Sequence, residues 1–296
     1  MKTGAPIIEI DASAGFCSGV NRAIKIIADS LEDGKPLLCL GDVVHNEAEL
    51  QRLEKNGARF IDHSQLSETA SRVFIRAHGE PPETYQKLTV RGTEVIDATC
   101  PVVLRLQQKI RIAAEKCLNE GRGKVVIFGK PGHPEVIGLM GQAPGRIELI
   151  SSAEQARELE ISGPVYLFAQ TTASEDIYKE VAEIITRKAM LNGLDSSDVV
   201  VTNSICRQMS QRAPVIREFA AKHDVVIFVS GSASSNGKYL SGIAKEVNPH
   251  TYVVSGVNEI GDWFKDAASV GISGATSTPQ WLMQAVAIHI ENLFTK

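Results

Sequence analysis

The chain has 296 residues, 31 Lys and Arg against 35 Asp and Glu, and a formal net charge of −4, with 43% hydrophobic and 22% charged residues. This is the composition of a globular chain with room for two or three cores, and its mildly acidic balance argues against a general binder of nucleic acid or anionic membranes. No apolar run approaches the ~18–20 residues of a membrane span, and Met1–Ile10 carries no secretory signal, so a cytoplasmic protein is expected.

In chain order, short apolar, β-branched runs recur at Ile7–Ile10, Pro36–Leu40, Arg59–Ile61, Val73–Arg76, Glu94–Asp97 and Lys124–Phe128. They continue at Ile147–Ile150, Val165–Ala169, Val199–Thr202, Val225–Val229, Tyr252–Val254 and Val270–Ile272. Helix-period stretches lie between most of them, such as Val20, Ile24, Ile27 and Leu31, or Val103, Leu106, Ile110, Ala113 and Cys117. About twelve strands alternating with helices predict an α/β fold with parallel sheets. One large sheet, a barrel or several small sheets all remain open. No linker or charge block separates domains, and the serine-rich Gly231–Gly237 reads as a loop between a strand and a helix.

Five cysteines, Cys17, Cys39, Cys100, Cys117 and Cys206, are too few and too scattered for a disulfide framework, and no C-x-x-C occurs. Cys39 lies inside an apolar strand and Cys117 on the apolar stripe of a helix, so both read as packing residues. The other three share one register: each follows a strand and precedes a helix. Ligand crevices of α/β sheets lie at the carboxyl ends of strands, and a helix N-terminus favours the thiolate. Three such thiolates suit zinc or an iron–sulfur cluster with one open position, as catalysis at a metal requires.

His45, His78 and His133 also follow strands directly, beside glycines that let the backbone approach a ligand. Ser230–Lys238 and Ser273–Pro279 are hydroxyl-rich loops at helix N-termini, a pattern suited to anions or phosphate. The first is not a Walker A loop, because Tyr239 stands where Ser or Thr is needed. His133-Pro134-Glu135 matches the H-x-E of zinc deaminases, but no P-C-x-x-C follows. A proton-donor role for Glu135 requires burial or a neighbouring negative charge. Gln170-Thr171-Thr172 follows a strand and reads by itself as a helix cap.

The chain closely resembles the IspH/LytB family, 4-hydroxy-3-methylbut-2-enyl diphosphate reductase, over nearly its whole length. The resemblance is carried by Gly15-Phe16-Cys17-Ser18-Gly19-Val20, Val43-Val44-His45-Asn46, Ala77-His78-Gly79 and Asp97-Ala98-Thr99-Cys100-Pro101. It continues through Gly132-His133-Pro134-Glu135-Val136, Gln170-Thr171-Thr172, Asn203-Ser204-Ile205-Cys206, Ser234-Ser235-Asn236 and Gly274-Ala275-Thr276-Ser277-Thr278-Pro279. The run after Cys206 departs from the T-x-x-R-Q-like pattern of many members: Met209 replaces a small polar residue, and Pro214 falls where a helix should be starting.

The resemblance implies three small α/β domains, each with a mostly parallel sheet of about four strands, around a pseudo-threefold axis with a central cluster site. The boundaries expected are 14–99, 100–204, and 205–296 joined by the N-terminal strand 1–13. It implies one [4Fe–4S] cluster per chain, held by Cys17, Cys100 and Cys206, with one iron not bound by protein. His45, His78, His133, Ser234, Ser235, Asn236 and Ser277 would hold the diphosphate of an allylic substrate. Glu135 would deliver protons, with Thr171 positioning it and the substrate hydroxyl. The implied reaction is reductive removal of the C4 hydroxyl to give isopentenyl and dimethylallyl diphosphate, with electrons from a ferredoxin, flavodoxin or similar donor. The rivals are an open-cluster hydro-lyase, a non-catalytic iron–sulfur sensor and a three-cysteine zinc hydrolase. No nucleic-acid or membrane partner is implied.

Overall fold

The computed structural model describes residues 5–66 and 71–294, so residues 1–4 and 295–296 of the expected third domain, and the start of the Met1–Ile10 segment, lie outside the described residues. Among the described residues twelve strands alternate with ten α-helices and a few short 3-10 turns. The first half runs β1 (Ile7–Ile10), α1 (Ser18–Leu31), β2 (Leu37–Leu40), α2 (Glu47–Lys55), β3 (Ala58–Ile61), β4 (Arg72–Ile75), α3 (Pro82–Val90), β5 (Glu94–Asp97), α4 (Pro101–Asn119), β6 (Lys124–Phe128) and α5 (Pro134–Met140). The second runs β7 (Ile147–Ile150), α6 (Ala153–Glu158), β8 (Val165–Ala169), α7 (Glu175–Leu191), β9 (Val199–Val201), α8 (Arg207–Ala221), β10 (Val225–Val229), α9 (Ser235–Val247), β11 (Thr251–Val254), β12 (Ser269–Gly274) and α10 (Gln280–Phe294). Every expected strand forms, with ends shifted by a residue or two.

The strands make three four-stranded sheets, ordered β1-β12-β10-β11, β5-β4-β2-β3 and β9-β8-β6-β7. Written this way the three orders are equivalent: an edge strand comes first, and each cysteine of the shared register follows that edge strand. Several small parallel sheets are therefore the outcome, not a barrel or one large sheet. Two compact units are found, Met1–Leu66 with Gln211–Lys296, and Ser67–Ser210.

In the first unit, β10 reads VVIFV and is buried throughout. Its alternation sends Val225, Ile227 and Val229 into a cluster with Met283, Val286 and Ile290 of α10. Val226 and Phe228 enter a second cluster with Ile216 and Phe219 of α8 and Leu240 of α9. A continuous apolar run is what a strand needs when helices cover both faces of its sheet. Each such side chain contributes ~1.5–3 kcal/mol by leaving water. In the same unit β2 pairs in parallel with β3, Cys39 opposite Phe60.

The second unit repeats the design around β8, where Val165, Leu167 and Ala169 pack with Tyr178, Val181 and Ile185 of α7. Tyr166 and Phe168 pack on the other face with Leu106, Ile110 and Ala113 of α4. Parallel strands end together, so the loops that follow β6, β8 and β9 share one sheet edge.

Helix α8 corrects one expectation. It starts at Arg207, directly after Cys206, and runs through Pro214 to Ala221. Proline lacks the N–H that would reach back four residues, so the bond to the Ser210 carbonyl is the one forgone.

Candidate active site

The three register cysteines occupy equivalent backbone positions. Cys17 and Cys100 are the N-cap residues of α1 and α4, with extended backbone at ψ 165° and 132°, and Pro101 opens α4. Their carbonyls accept the first helical bonds, from Asn21 N–H at 2.9 Å and Leu104 N–H at 2.9 Å, as the Cys206 carbonyl accepts from Ser210 N–H at 3.2 Å. Their own N–H groups donate across the sheet edge: Cys17 to Thr276 O at 3.2 Å, Cys100 to Ala77 O at 3.0 Å and Cys206 to Thr171 O at 2.8 Å. Each accepting residue lies just past the strand next to the edge strand. The local sequence explains the position: each edge strand ends, the chain turns, and a helix starts at the cysteine.

All three are half-buried, whereas Cys39 is fully buried in β2. Burial pushes the Cys39 thiol up to about 12, so it stays a protonated packing group. Cys117 packs against the α4 core, and burial raises its thiol too. The donor chemistry of the other three fits a thiolate-bound metal or cluster: soft ligands, accessible, at helix N-termini.

The second unit carries the candidate acid. Glu135 is in the first turn of α5 and only 2% exposed. Thr171, in the loop after β8, grips both its oxygens: the backbone N–H donates to Oε1 at 2.7 Å and the hydroxyl to Oε2 at 2.7 Å. Burial pushes the Glu135 carboxyl above the ordinary carboxylic range, while the two Thr171 bonds pull it down. The burial that a proton-donor role requires is therefore present.

His133 is the N-cap of α5, its Nδ1 accepting from Glu135 N–H at 3.2 Å. An imidazole whose Nδ1 accepts a hydrogen bond carries its proton, when neutral, on Nε2. The His78 ring meets His133 edge-on, centroids 5.3 Å apart. Gly79, at φ +71°, closes the turn that follows β4 and presents His78.

The first unit carries the hydroxyl-rich loops. Ser234 is the N-cap of α9, its Oγ accepting from Gly237 N–H at 3.0 Å and lying 3.2 Å from the Ser277 Oγ. Ser235 and Asn236 open α9, and Asn236 Oδ1 accepts from Thr276 N–H at 2.8 Å and Thr276 Oγ1 at 2.9 Å. Thus the structure brings Ser234, Asn236 and Ser277 together within one unit. The same unit holds His45, half-buried after β2, whose carbonyl oxygen would lie 2.2 Å from a Cβ added at Gly231.

Sequence reasoning missed two local supports. Gln170 Oε1 accepts from Lys130 N–H at 3.0 Å and its Nε2 reaches Thr172 Oγ1 at 2.9 Å, bracing the His133 and Thr171 loops. Thr276 lies in the Gly274–Pro279 motif, yet its two hydrogen bonds to Asn236 Oδ1 span 40 positions of sequence and leave no local signal.

The profile of the family described as LytB protein matches residues 8–291. The 4-hydroxy-3-methylbut-2-enyl diphosphate reductase of Bacteroides thetaiotaomicron is 43% identical over 288 residues, 97% of this chain and 98% of that protein. The reductase of the same name from Porphyromonas gingivalis is 44% identical over 290 residues, with 97% and 99% covered. Among solved structures, the E-1-hydroxy-2-methyl-but-2-enyl-4-diphosphate reductase of Plasmodium falciparum matches with a TM-score of 0.83 at 25% identity, over 99% of this chain and 89% of that one. The structure of (E)-4-hydroxy-3-methyl-but-2-enyl diphosphate reductase, the terminal enzyme of the non-mevalonate pathway, matches with a TM-score of 0.72 at 35% identity, over 97% and 99%.

Proposed function

The chain belongs to the LytB protein family, and from that premise we propose that it reduces 4-hydroxy-3-methylbut-2-enyl diphosphate to isopentenyl and dimethylallyl diphosphate, the last step of the non-mevalonate pathway. The stretches 14–99, 100–204, and 205–296 with 1–13, each supply one cysteine in this reading. Cys17, Cys100 and Cys206 hold one [4Fe–4S] cluster per chain, leaving one iron without a protein ligand. When bound, the cluster supplies the electrons and Lewis acidity toward the C4 oxygen. A ferredoxin, flavodoxin or similar protein delivers the electrons, and the enzyme works in the cytoplasm. No helix of the described residues is long and apolar enough to cross a membrane.

The chain's own residues supply the rest. The diphosphate is bound by the Nε2–H of His133, by His45 and His78, and by Ser234, Ser235, Asn236 and Ser277. Its remote binding energy orients the allylic alcohol. The reaction consumes two electrons and two protons, replacing C–OH by C–H and releasing water. Hydroxide is a poor leaving group, so a proton must reach the departing oxygen. Glu135 holds that proton at its carboxyl because burial favours the neutral form, and the Thr171 hydroxyl fixes which way the carboxyl faces.

The observation that carries the reading is the common N-cap register of Cys17, Cys100 and Cys206 on three edge strands. Anaerobic purification, iron and sulfide analysis, and turnover of the allylic diphosphate with dithionite and a mediator test it. Both isoprenoid diphosphates are expected. Turnover without reductant would favour a hydro-lyase, iron-free protein holding zinc a hydrolase, and fully loaded protein without any product a sensor.

A further inference from the structure

The loops leading to the three cysteines are each stapled by a polar side chain from a helix, half-buried in Tyr85 and buried in Tyr178 and Arg212. In the second unit Asp97 accepts from Thr99 N–H at 2.8 Å and Thr99 Oγ1 at 2.5 Å, and the Tyr85 hydroxyl of α3 reaches Thr99 Oγ1 at 3.1 Å. The Tyr178 hydroxyl of α7 meets the carbonyls of Leu167 at 3.0 Å and Thr202 at 2.8 Å, below the Cys206 loop. The first unit repeats the Asp-x-hydroxyl turn before Cys17: Asp11 Oδ1 accepts from Ser13 N–H at 2.9 Å and Ser13 Oγ at 2.6 Å. There the staple is a guanidinium.

Arg212, only 7% exposed, sits in α8, the helix that begins immediately after Cys206. Its Nη1 donates to Ser13 Oγ at 3.0 Å, and its Nη2 donates to Gly274 O at 2.9 Å and lies 3.9 Å from Asp11 Oδ2. Asp11 Oδ2 also accepts from Ser273 Oγ at 2.7 Å. One planar fork thus spans two loops. Ser13 lies in the loop that runs from β1 to Cys17. Gly274 opens the loop that carries Thr276, which accepts the Cys17 N–H, and Ser277, which faces Ser234.

We propose that Arg212 is a positioning residue for the reduction: its guanidinium holds the Cys17 loop and the Gly274–Pro279 anion loop at a fixed spacing. The proposal rests on the reading of Cys17 as a cluster ligand and Ser277 as a diphosphate contact. A lysine keeps the charge but offers one point donor on a flexible stem, and it cannot bridge both loops as a rigid fork does. This also gives the run after Cys206 a purpose. It departs from the family pattern in Met209 and Pro214, yet α8 continues far enough to deliver Arg212 to the loops.

The test compares the anaerobically purified full chain with Arg212→Lys, and with Ser13→Ala, which removes the Nη1 arm together with the Ser13 hydroxyl's bond to Asp11 and leaves the Nη2 bond to Gly274 in place. The readouts are iron and sulfide content, far-UV circular dichroism, the EPR spectrum of the reduced protein, and the dissociation constant of inorganic pyrophosphate. Parental iron content and fold, an altered EPR line shape, and pyrophosphate binding weakened about tenfold are expected, the scale of one charge-assisted hydrogen bond. Parental EPR and pyrophosphate affinity in both variants would overturn the proposal. If Arg212→Lys does not fold, Ser13→Ala decides by the same two readouts. A parent chain lacking iron, sulfide and turnover would overturn the functional reading and this inference with it. A competent parent with unaltered variants overturns the inference alone.

Discussion

Thr171 bonds both oxygens of the buried Glu135 carboxylate, through its N–H and its hydroxyl, each at 2.7 Å. Burial raises the carboxyl while these bonds lower it, and burial wins. A carboxyl raised in this way favours its proton-bearing form more than an ordinary carboxyl does and can still give the proton up. Glu135→Gln keeps the shape but removes the transferable proton. It is expected to retain iron content and substrate affinity while kcat falls ~10²–10⁴-fold. Turnover close to that of the parent would remove Glu135 as the proton donor.

The same carboxyl predicts a stability signature. Its folded pKa lies above its unfolded one, so the folded state binds the extra proton. Its contribution is full below the unfolded carboxylic range and is lost as pH rises through the folded pKa. The melting temperature of the parent should therefore fall relative to Glu135→Gln as pH rises from the acid range toward neutrality. A difference between the two proteins that does not change with pH would contradict the assigned direction.

Thr171→Val removes the hydroxyl and leaves the backbone bond to Oε1 in place. One lowering influence on Glu135 is gone, so its pKa rises further. If activity requires protonated Glu135, the alkaline limb of the kcat profile moves to higher pH, and the unpaired oxygen costs ~1–3 kcal/mol of stability. Thr171→Ser restores the profile. An alkaline limb that stays put in Thr171→Val would separate Thr171 from the acid function.

The strands were legible because parallel strands covered on both faces read as unbroken apolar runs, as Val165–Ala169 and Val225–Val229 do. The cysteine register was legible because each thiol stands at a strand-to-helix junction, a local event in the chain. Strand order was not, since alternating strands and helices suit one sheet or three. Nor was the helical course through Pro214, because the packing of Ile216, Phe219 and Ala220 on β10 holds α8 together where propensity alone breaks it. The Asp11–Arg212 and Glu135–Thr171 contacts join distant segments, and only the folded edge of a sheet brings such partners together.

Cys39 and Cys117 serve as internal controls for the ligand assignment. Cys39→Ser and Cys117→Ser are expected to keep the iron and sulfide of the parent, whereas serine at Cys17, Cys100 or Cys206 loses most of both. Cys39→Ser also buries a hydroxyl inside β2 among apolar neighbours, a cost of ~1–3 kcal/mol seen as a lower melting temperature. Iron lost from folded Cys39→Ser or Cys117→Ser would reverse the division between packing and ligand cysteines.

Two glycines of the first unit, eleven positions apart on about the same stretch of chain, should respond in opposite ways. At Gly231 an added Cβ would lie 2.2 Å from the His45 carbonyl oxygen, and backbone cannot swing aside as a side-chain tip does. Gly231→Ala must displace either the loop after β10 or the one that presents His45, so pyrophosphate binding should weaken along with stability. At Gly242, inside α9, an added Cβ meets nothing within 4 Å. Gly242→Ala removes only the entropic cost of glycine in a helix and should stabilise the protein by ~0.8–1.0 kcal/mol without altering pyrophosphate affinity. Thermal melts and pyrophosphate titrations of both variants check this. Parental affinity in Gly231→Ala would show that the close approach to His45 does not govern the anion site.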